Sequence, residues 1–271
     1  MDAVINRGKH NVLGVLVDAV DYEYAVSRVI DAAEQRRPLA LTALAVHGVM
    51  TGVDDPAHEA RLNSFDLVVP DGQPVRWALN LMYGTDLTDR VYGPDLTGYV
   101  LAELARRELP VYLYGSTPET LDVLRSALPA ESPGLYIAGS SPSLFRGSHP
   151  GEVAEIAERI RATGARCVLI GLGCPRQEVL AHALREHLDL PLLAVGAAFN
   201  YHAGQLRRPP PWMQARGLEW LWRLGLEPRR LWRRYLVLNP RYASRLLAQR
   251  AGWWRPQPEP PKRRAALDVP V

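Results

Sequence analysis

The sequence predicts an α/β fold, a mostly parallel sheet with helices on both faces, followed by a helical C-terminal appendage. Three observations carry this. Short aliphatic or β-branched runs alternate with helix-length segments from residue 12 to about residue 200, the pattern of right-handed βαβ units. At 271 residues and 47% hydrophobic, the chain can bury a full core. Between residues 205 and 250 the composition then changes: eleven arginines and two acidic residues are interleaved with four of the seven tryptophans.

Taken in order, the aliphatic run at 12–17 is the first expected strand, followed by helical periodicity at 24–35. L-A-L-T-A-L-A at 39–45 is the second strand, with a helix at 56–63 opening on Pro56. A strand at 65–69 leads to a helix at 75–82, and a further helix is expected at 96–108. The clearest unit is 111–128: V-Y-L-Y as strand, then G-S-T-P-E, then helix. There Gly115 releases the strand, Thr117 can cap, and Pro118 suits the first helical position. Strands at 135–138, 167–170 and 192–195 alternate with helices at 152–162 and 176–187. These elements make a Rossmann-like sheet, with no internal repeat.

The domain organisation expected is an α/β catalytic core over 1–204, a basic aromatic appendage over 205–250 and a disordered tail over 251–271. The appendage carries +9 and the tail +2, so residues 1–204 carry about −8 of a net +3. Such polarity points to an anionic partner: a phosphorylated substrate, a lipid surface or a nucleic acid. Only two of the 32 basic residues are lysine. A coding bias toward arginine can explain that preference, but not the gathering of charge at one end. Cys167 and Cys174 are the only cysteines, a reduced, cytosolic pattern without a second pair for zinc. The N-terminal residues do not read as a signal peptide, and no apolar run reaches the ~18 residues of a bilayer span. From Arg255 onward, proline and charge outweigh apolar residues.

Two segments read as sites. D-L-V-V-P-D-G-Q-P at 66–74 ends a strand in a turn at the ligand-binding edge of an open sheet, presenting Asp71 and Gly72 there. The same P-D-G turn also suits a merely structural Asx-turn. I-G-L-G-C-P-R-Q-E at 170–178 empties a strand into a glycine turn before a helix. Gly171 and Gly173 would permit close backbone approach, and the helix start near Pro175 favours an anion. A plain tight turn explains the glycines equally well. The segment is neither a Walker loop nor a G-x-G-x-x-G fingerprint, since Arg176 stands at the third glycine position. There is no D-x-D, no H-E-x-x-H and no G-x-S-x-G, so neither a metal nor a cofactor is expected.

In E-P-R-R-L-W-R-R-Y-L-V-L-N-P, Pro228 suits a helix start and Pro240 a helix end. On a helical wheel Arg229, Arg230, Arg233 and Arg234 fall within about 140°. Leu231, Trp232, Tyr235, Leu236 and Leu238 lie opposite. That arrangement suits an interfacial helix or a bidentate diphosphate clamp. Packing of the apolar side on the body would explain the stripe but not the uniform charge.

Together these segments resemble the WecG/TagA/CpsF glycosyltransferases (glycosyltransferase family 26) from about Val12 to Pro240. The resemblance rests on D-L-V-V-P-D-G, R-V-Y-G-P-D-L at 90–96, G-L-G-C-P-R-Q-E, G-A-A-F-N-Y-H-A-G at 196–204 and the arginine/tryptophan run at 207–235. It implies transfer of a sugar, of the N-acetylmannosamine type or a related hexose, from a UDP-sugar to a polyprenyl-diphosphate-linked saccharide. The setting implied is the anionic inner leaflet of a bacterial cell, with a cytoplasmic, peripheral enzyme making a cell-surface polysaccharide. Asp71 would be the catalytic base and Gln177 would line the pocket. Arg223, Arg230 and Arg233 would be the active-site arginines of an appendage that closes over the site and touches the membrane. Arg90 and Asp95 of R-V-Y-G-P-D-L, and Pro175 and Glu178 of P-R-Q-E, join the expected substrate-binding set. Trp232, Tyr235 and Leu236 would contact the membrane.

One departure is visible. Where the family often has Thr-x-Asn, this chain has Ala43-Leu44-Ala45, with Thr42 one residue early and His47 beyond. Thr42 and His47 are the polar candidates there, and the change bears on donor choice. Inverting transfer needs a base for the acceptor hydroxyl and a stabilised diphosphate leaving group. Without D-x-D, guanidinium groups and the helix start after Gly173 are expected to carry that charge. A nucleic-acid-binding protein is the alternative from another class, but it leaves the P-D-G and P-R-Q-E loops without a role. A nicotinamide-dependent oxidoreductase lacks its glycine fingerprint. The sequence leaves self-association into a homo-oligomer open.

Overall fold

The computed structural model describes residues 4–144, 146 and 151–258, without the side chains of Pro211, Ala215, Arg230 and Arg234. The chain opens with an antiparallel hairpin, β1 (Asn6–Val12) and β2 (Val15–Val20). Leu13 and Gly14 close it with φ of 59° and 101°, the two positive values a tight hairpin turn requires. The single strand expected at 12–17 is therefore cut in two. A glycine inside an aliphatic run was the signal of this turn.

The main sheet has six parallel strands in the order β4-β3-β8-β7-β5-β6. They are β3 (Leu39–Leu44), β4 (Leu67–Pro70), β5 (Val111–Gly115), β6 (Ile137–Ser141), β7 (Cys167–Gly171) and β8 (Pro191–Ala194). This is not the 3-2-1-4-5-6 order of dinucleotide-binding sheets. Helices α1 (Tyr22–Gln35), α2 (Val46–Asp54), α3 (Pro56–Asn63), α4 (Gln73–Tyr83), α5 (Gly93–Arg106), α6 (Pro118–Glu131), α7 (Glu152–Ala162) and α8 (Arg176–Leu184) connect the strands. As expected, Thr117 caps α6, accepting from the Thr120 N–H at 3.3 Å, with Pro118 in its first turn.

Period-two alternation divides the strand side chains between two cores. Tyr112 and Tyr114 face one, while Val111 and Leu113 face the other. Helix α2 was not anticipated, because V-H-G-V-M-T-G-V-D carries two helix-weakening glycines. Both are packing positions: a Cβ at Gly48 would meet Leu44 at 2.3 Å, and one at Gly52 would meet Val15 at 2.9 Å.

Beyond β8 come α9 (Ala198–His202), α10 (Pro211–Ala215), α11 (Glu219–Leu226) and α12 (Pro228–Arg233). A π turn (Arg234–Leu238) then runs into α13 (Asn239–Arg250). Pro240 does not end the helical run as expected. It sits in the first turn of α13, where its missing N–H costs little. Tyr242 and Leu246 of α13 belong to the core shared by Val15, Leu44 and Leu79, and Arg241 pairs with Asp54 through two bonds of 2.5 and 2.7 Å. The first residues of the supposed tail also pack: Trp254 lies against that core, and the Asn11 side chain donates to the Pro256 carbonyl at 2.8 Å. Residues 259–271 lie outside the described residues.

Candidate active site

The strand order reverses at β3, whose neighbours are its own successor β4 and the last strand β8. A crevice at the carboxyl ends of such strands is the usual ligand position in open α/β sheets. Asp71 stands there, directly after β4. Its N–H donates to the Leu44 carbonyl at 3.2 Å, and its Oδ1 accepts from the Gly93 N–H at 2.6 Å. Gly93 opens α5, so the carboxylate sits on a helix start, where negative charge is favoured. A Cβ at Gly93 would fall 3.4 Å from Asp71 Oδ1 and 3.3 Å from the Ala43 side chain. The R-V-Y-G-P-D-L segment thus supplies the seat of the P-D-G carboxylate.

Burial pushes the Asp71 pKa up to about 6. Arg90, the Gly93 hydrogen bond and Arg223 pull it down, and Glu219 pushes it further up. Arg90 is itself buried. Its guanidinium pairs with Glu219 and lies 4.2 Å over the Tyr92 ring, which packs edge-on against Tyr201 at 6.0 Å.

Two cavities meet at Asp71. The larger, of about 380 Å³, lies over the carboxyl edge of the sheet against Ala43, Gly171, Gly173, Gln177, Gly196 and Asn200. The smaller, of about 120 Å³, lies between the α4 start and the C-terminal segment, against Gly72, Gln73, Arg90, Glu219, Trp220 and Tyr235. Ala45, His47, Asp71, Tyr92 and Arg223 line both.

The sequence candidates divide accordingly. Gly72, His47, Arg90, Gly171, Gly173, Gln177, Glu178 and Arg223 gather at the cavities with Asp71. Gln177 and Glu178 form the floor: Gln177 accepts from the Gly173 N–H at 3.1 Å and donates to Glu178 Oε1 at 2.8 Å. Burial raises the Glu178 pKa, against hydrogen bonds from Gln177 and Thr42. Thr42 is buried in β3 and donates to Glu178 Oε1 at 3.0 Å, so it braces the floor, while Ala43 and Ala45 face the space. Gly171 has a packing reason for lacking a side chain, since a Cβ there would lie 2.7 Å from the Phe199 ring. Gly173 has φ of +80° and open space around it. Pro175 caps α8 without lining either cavity.

Asp95, expected at the substrate, instead pairs with Arg208 outside both cavities. Arg233 is exposed, 5.6 Å over the Trp232 ring, and lines neither cavity; the Arg230 side chain lies outside the described residues. Tyr235, expected at a membrane, turns inward to the smaller cavity and packs at 5.9 Å from Trp220. Trp232 and Leu236 are exposed, at 47% and 58%. Glu219, Tyr92 and Trp220 were not among the candidates. Glu219 had a signal: it is one of two acidic residues in an arginine-rich segment.

One group of potential metal ligands occurs among the described residues. His58, Cys174 and Glu178 bring ligating atoms within 4.8 Å of one another. Arg61 Nη1 lies 2.9 Å from His58 Nδ1 and can only donate. Nδ1 is therefore the acceptor and Nε2 carries the hydrogen. Neither nitrogen offers a metal a free lone pair, so the group does not fit a metal site. No helix among the described residues is long and apolar enough to cross a membrane.

A carboxylate with a raised pKa beside paired cavities, the buried Arg90 and the half-buried Arg223 is suited to removing a proton from a hydroxyl group as negative charge departs. The model of the WecG/TagA/CpsF glycosyl transferase family matches residues 10–256, spanning every element of this site, and the chain belongs to that family of glycosyltransferases of cell-surface polysaccharide synthesis.

Proposed function

We propose that this glycosyltransferase moves a hexose, of the N-acetylmannosamine type or a relative, from a UDP-sugar to a polyprenyl-diphosphate-linked saccharide with inversion. The observation that carries this reading is the position of Asp71 on the wall common to two cavities. The donor occupies the larger cavity, against the Gly171–Gln177 turn, and the acceptor sugar enters the smaller one. The acceptor hydroxyl then attacks the anomeric carbon from the Asp71 side. As the new C–O bond forms, its proton passes to Asp71, and the bond to the diphosphate breaks with its electron pair leaving on UDP. Arg223, which reaches both cavities, offsets the leaving charge. A pKa near 6 leaves Asp71 ionised at neutral pH and still a competent base.

Residues 205–250 serve as the appendage that completes the acceptor cavity, since Glu219, Trp220, Arg223 and Tyr235 form one of its walls. The exposed Trp232 and Leu236 dock it on the inner face of the membrane, where a polyprenyl carrier resides. A nucleic-acid reading of the same segment gains no support from Arg223, which faces the cavities. The test is Asp71→Asn, assayed for UDP release from a panel of UDP-sugars with a short-chain acceptor. Turnover should fall by about 10²-fold or more with donor affinity little changed; near-normal turnover would exclude Asp71 as the base.

A further inference from the structure

Asp71 and Glu219 share one buried guanidinium. Glu219 comes from α11, far along the chain, and is buried beside the carboxylate that must act as base. Placing a second negative charge there costs Coulomb energy, and the position of Arg90 shows what it achieves. Arg90 Nη2 is committed to Glu219 while its guanidinium rests on Tyr92. Asp71 forms no ion pair among the described residues, and the Gly93 N–H takes only its Oδ1. Arg90 still acts on Asp71 through space.

Besides Glu219, Asp71 is the carboxylate that acts on the Arg90 guanidinium, so without Glu219 that charge would be left to Asp71. A direct pair would occupy the oxygen that has to receive the proton. It would also weaken the base, since an opposite charge in contact lowers a carboxylate pKa by about 1–3 units. We propose that Glu219 is a positioning residue that holds Arg90 off Asp71, so that the C-terminal segment maintains the proton affinity of the base. This rests on the reading of Asp71 as that base. The other groups facing Asp71 are Arg223 of α11, Tyr201 of α9, Tyr92 ahead of α5 and His47 of α2. Among the strongest influences on Asp71, Glu219 is the carboxylate.

The experiment follows the Asp71 carboxyl itself by ¹³C NMR of full-length protein labelled at aspartate, the signal being assigned by its loss in Asp71→Asn. In Glu219→Gln, which keeps a hydrogen-bonding group for Arg90 but removes the charge, the Asp71 midpoint should fall by about one pH unit. In Arg90→Gln/Glu219→Gln, both charges go together and the midpoint should stand at or above that of the unaltered protein. An unmoved midpoint in a folded Glu219→Gln protein overturns the proposal. So does a lowered midpoint in the double variant, which would still decide the matter if the single variant failed to fold. The pH profile of turnover separates the two claims. If the NMR midpoint shifts and the acid limb of the profile does not follow, Asp71 is not the base, yet Glu219 controls its charge. If the midpoint stays fixed, Glu219 has no such role whatever the profile does.

Discussion

In its proposed role as base, Asp71 combines two demands that usually conflict: to be charged at neutral pH and still to bind a proton well. Burial raises its pKa to about 6, Arg90 and the Gly93 N–H oppose that rise, and Glu219 reinforces it. The sign of the pH dependence follows. With Asp71 as the proposed base the carboxylate is the active form, so kcat/KM should hold steady above pH 6 and fall about tenfold per unit well below it. A profile flat from pH 7 to pH 4.5 would assign the proton to another group. At this scale the sequence was legible as to position for Asp71 and Gln177, which both line the larger cavity. It was less so where a residue has a packing reason. Gly171 reads as an anion-approach glycine, but its neighbour is Phe199. Thr42 is the polar residue nearest the expected pair, but alternation along β3 turns it to Glu178 and leaves Ala43 facing the cavity.

The C-terminal helices show how far periodicity goes. A wheel marks 228–238 as amphipathic, but it assumes 100° per residue, and the π turn at Arg234–Leu238 breaks that assumption midway. The apolar side also divides. Leu231 is buried and Tyr235 lines the smaller cavity, whereas Trp232, Leu236 and Val237 are exposed. The hairpin at Leu13–Gly14 and helix α2 escaped notice for a related reason, because glycines interrupt the pattern by which elements are read. The exposed set yields an element-scale prediction. Trp232→Ser/Leu236→Ser should weaken sedimentation with anionic liposomes, since these side chains are 47% and 58% exposed. Turnover on a short, water-soluble acceptor should survive. A loss of thermal stability with unchanged liposome binding would instead make this face a packing surface.

Strand order is the property of the whole molecule that local pattern conceals. Seven strand-like runs do not say that the last strand inserts beside the first strand of the sheet, yet that insertion creates the crevice holding Asp71. Charge polarity, by contrast, is plain in the sequence, and the fold distributes it. Arg223 turns into the cavities, while Arg216, Arg229 and Arg233 are exposed on the segment that carries Trp212, Leu226 and Leu236, themselves exposed. In the proposed docking, an anionic surface attracts the C-terminal segment and repels residues 1–204, which carry about −8, so that the molecule is oriented with the site toward the lipid. Each arginine at such a surface contributes about 1 kcal/mol, and three together correspond to roughly 100-fold in binding. Screening shortens from about 10 Å at 0.1 M salt to about 3 Å at 1 M. Binding to vesicles rich in phosphatidylglycerol should therefore weaken by about that factor across this range, and binding to neutral vesicles should be weak at both ends. Equal binding to neutral and anionic vesicles, unaffected by salt, would mean that apolar contact alone holds the protein and that its charge polarity has no part in docking.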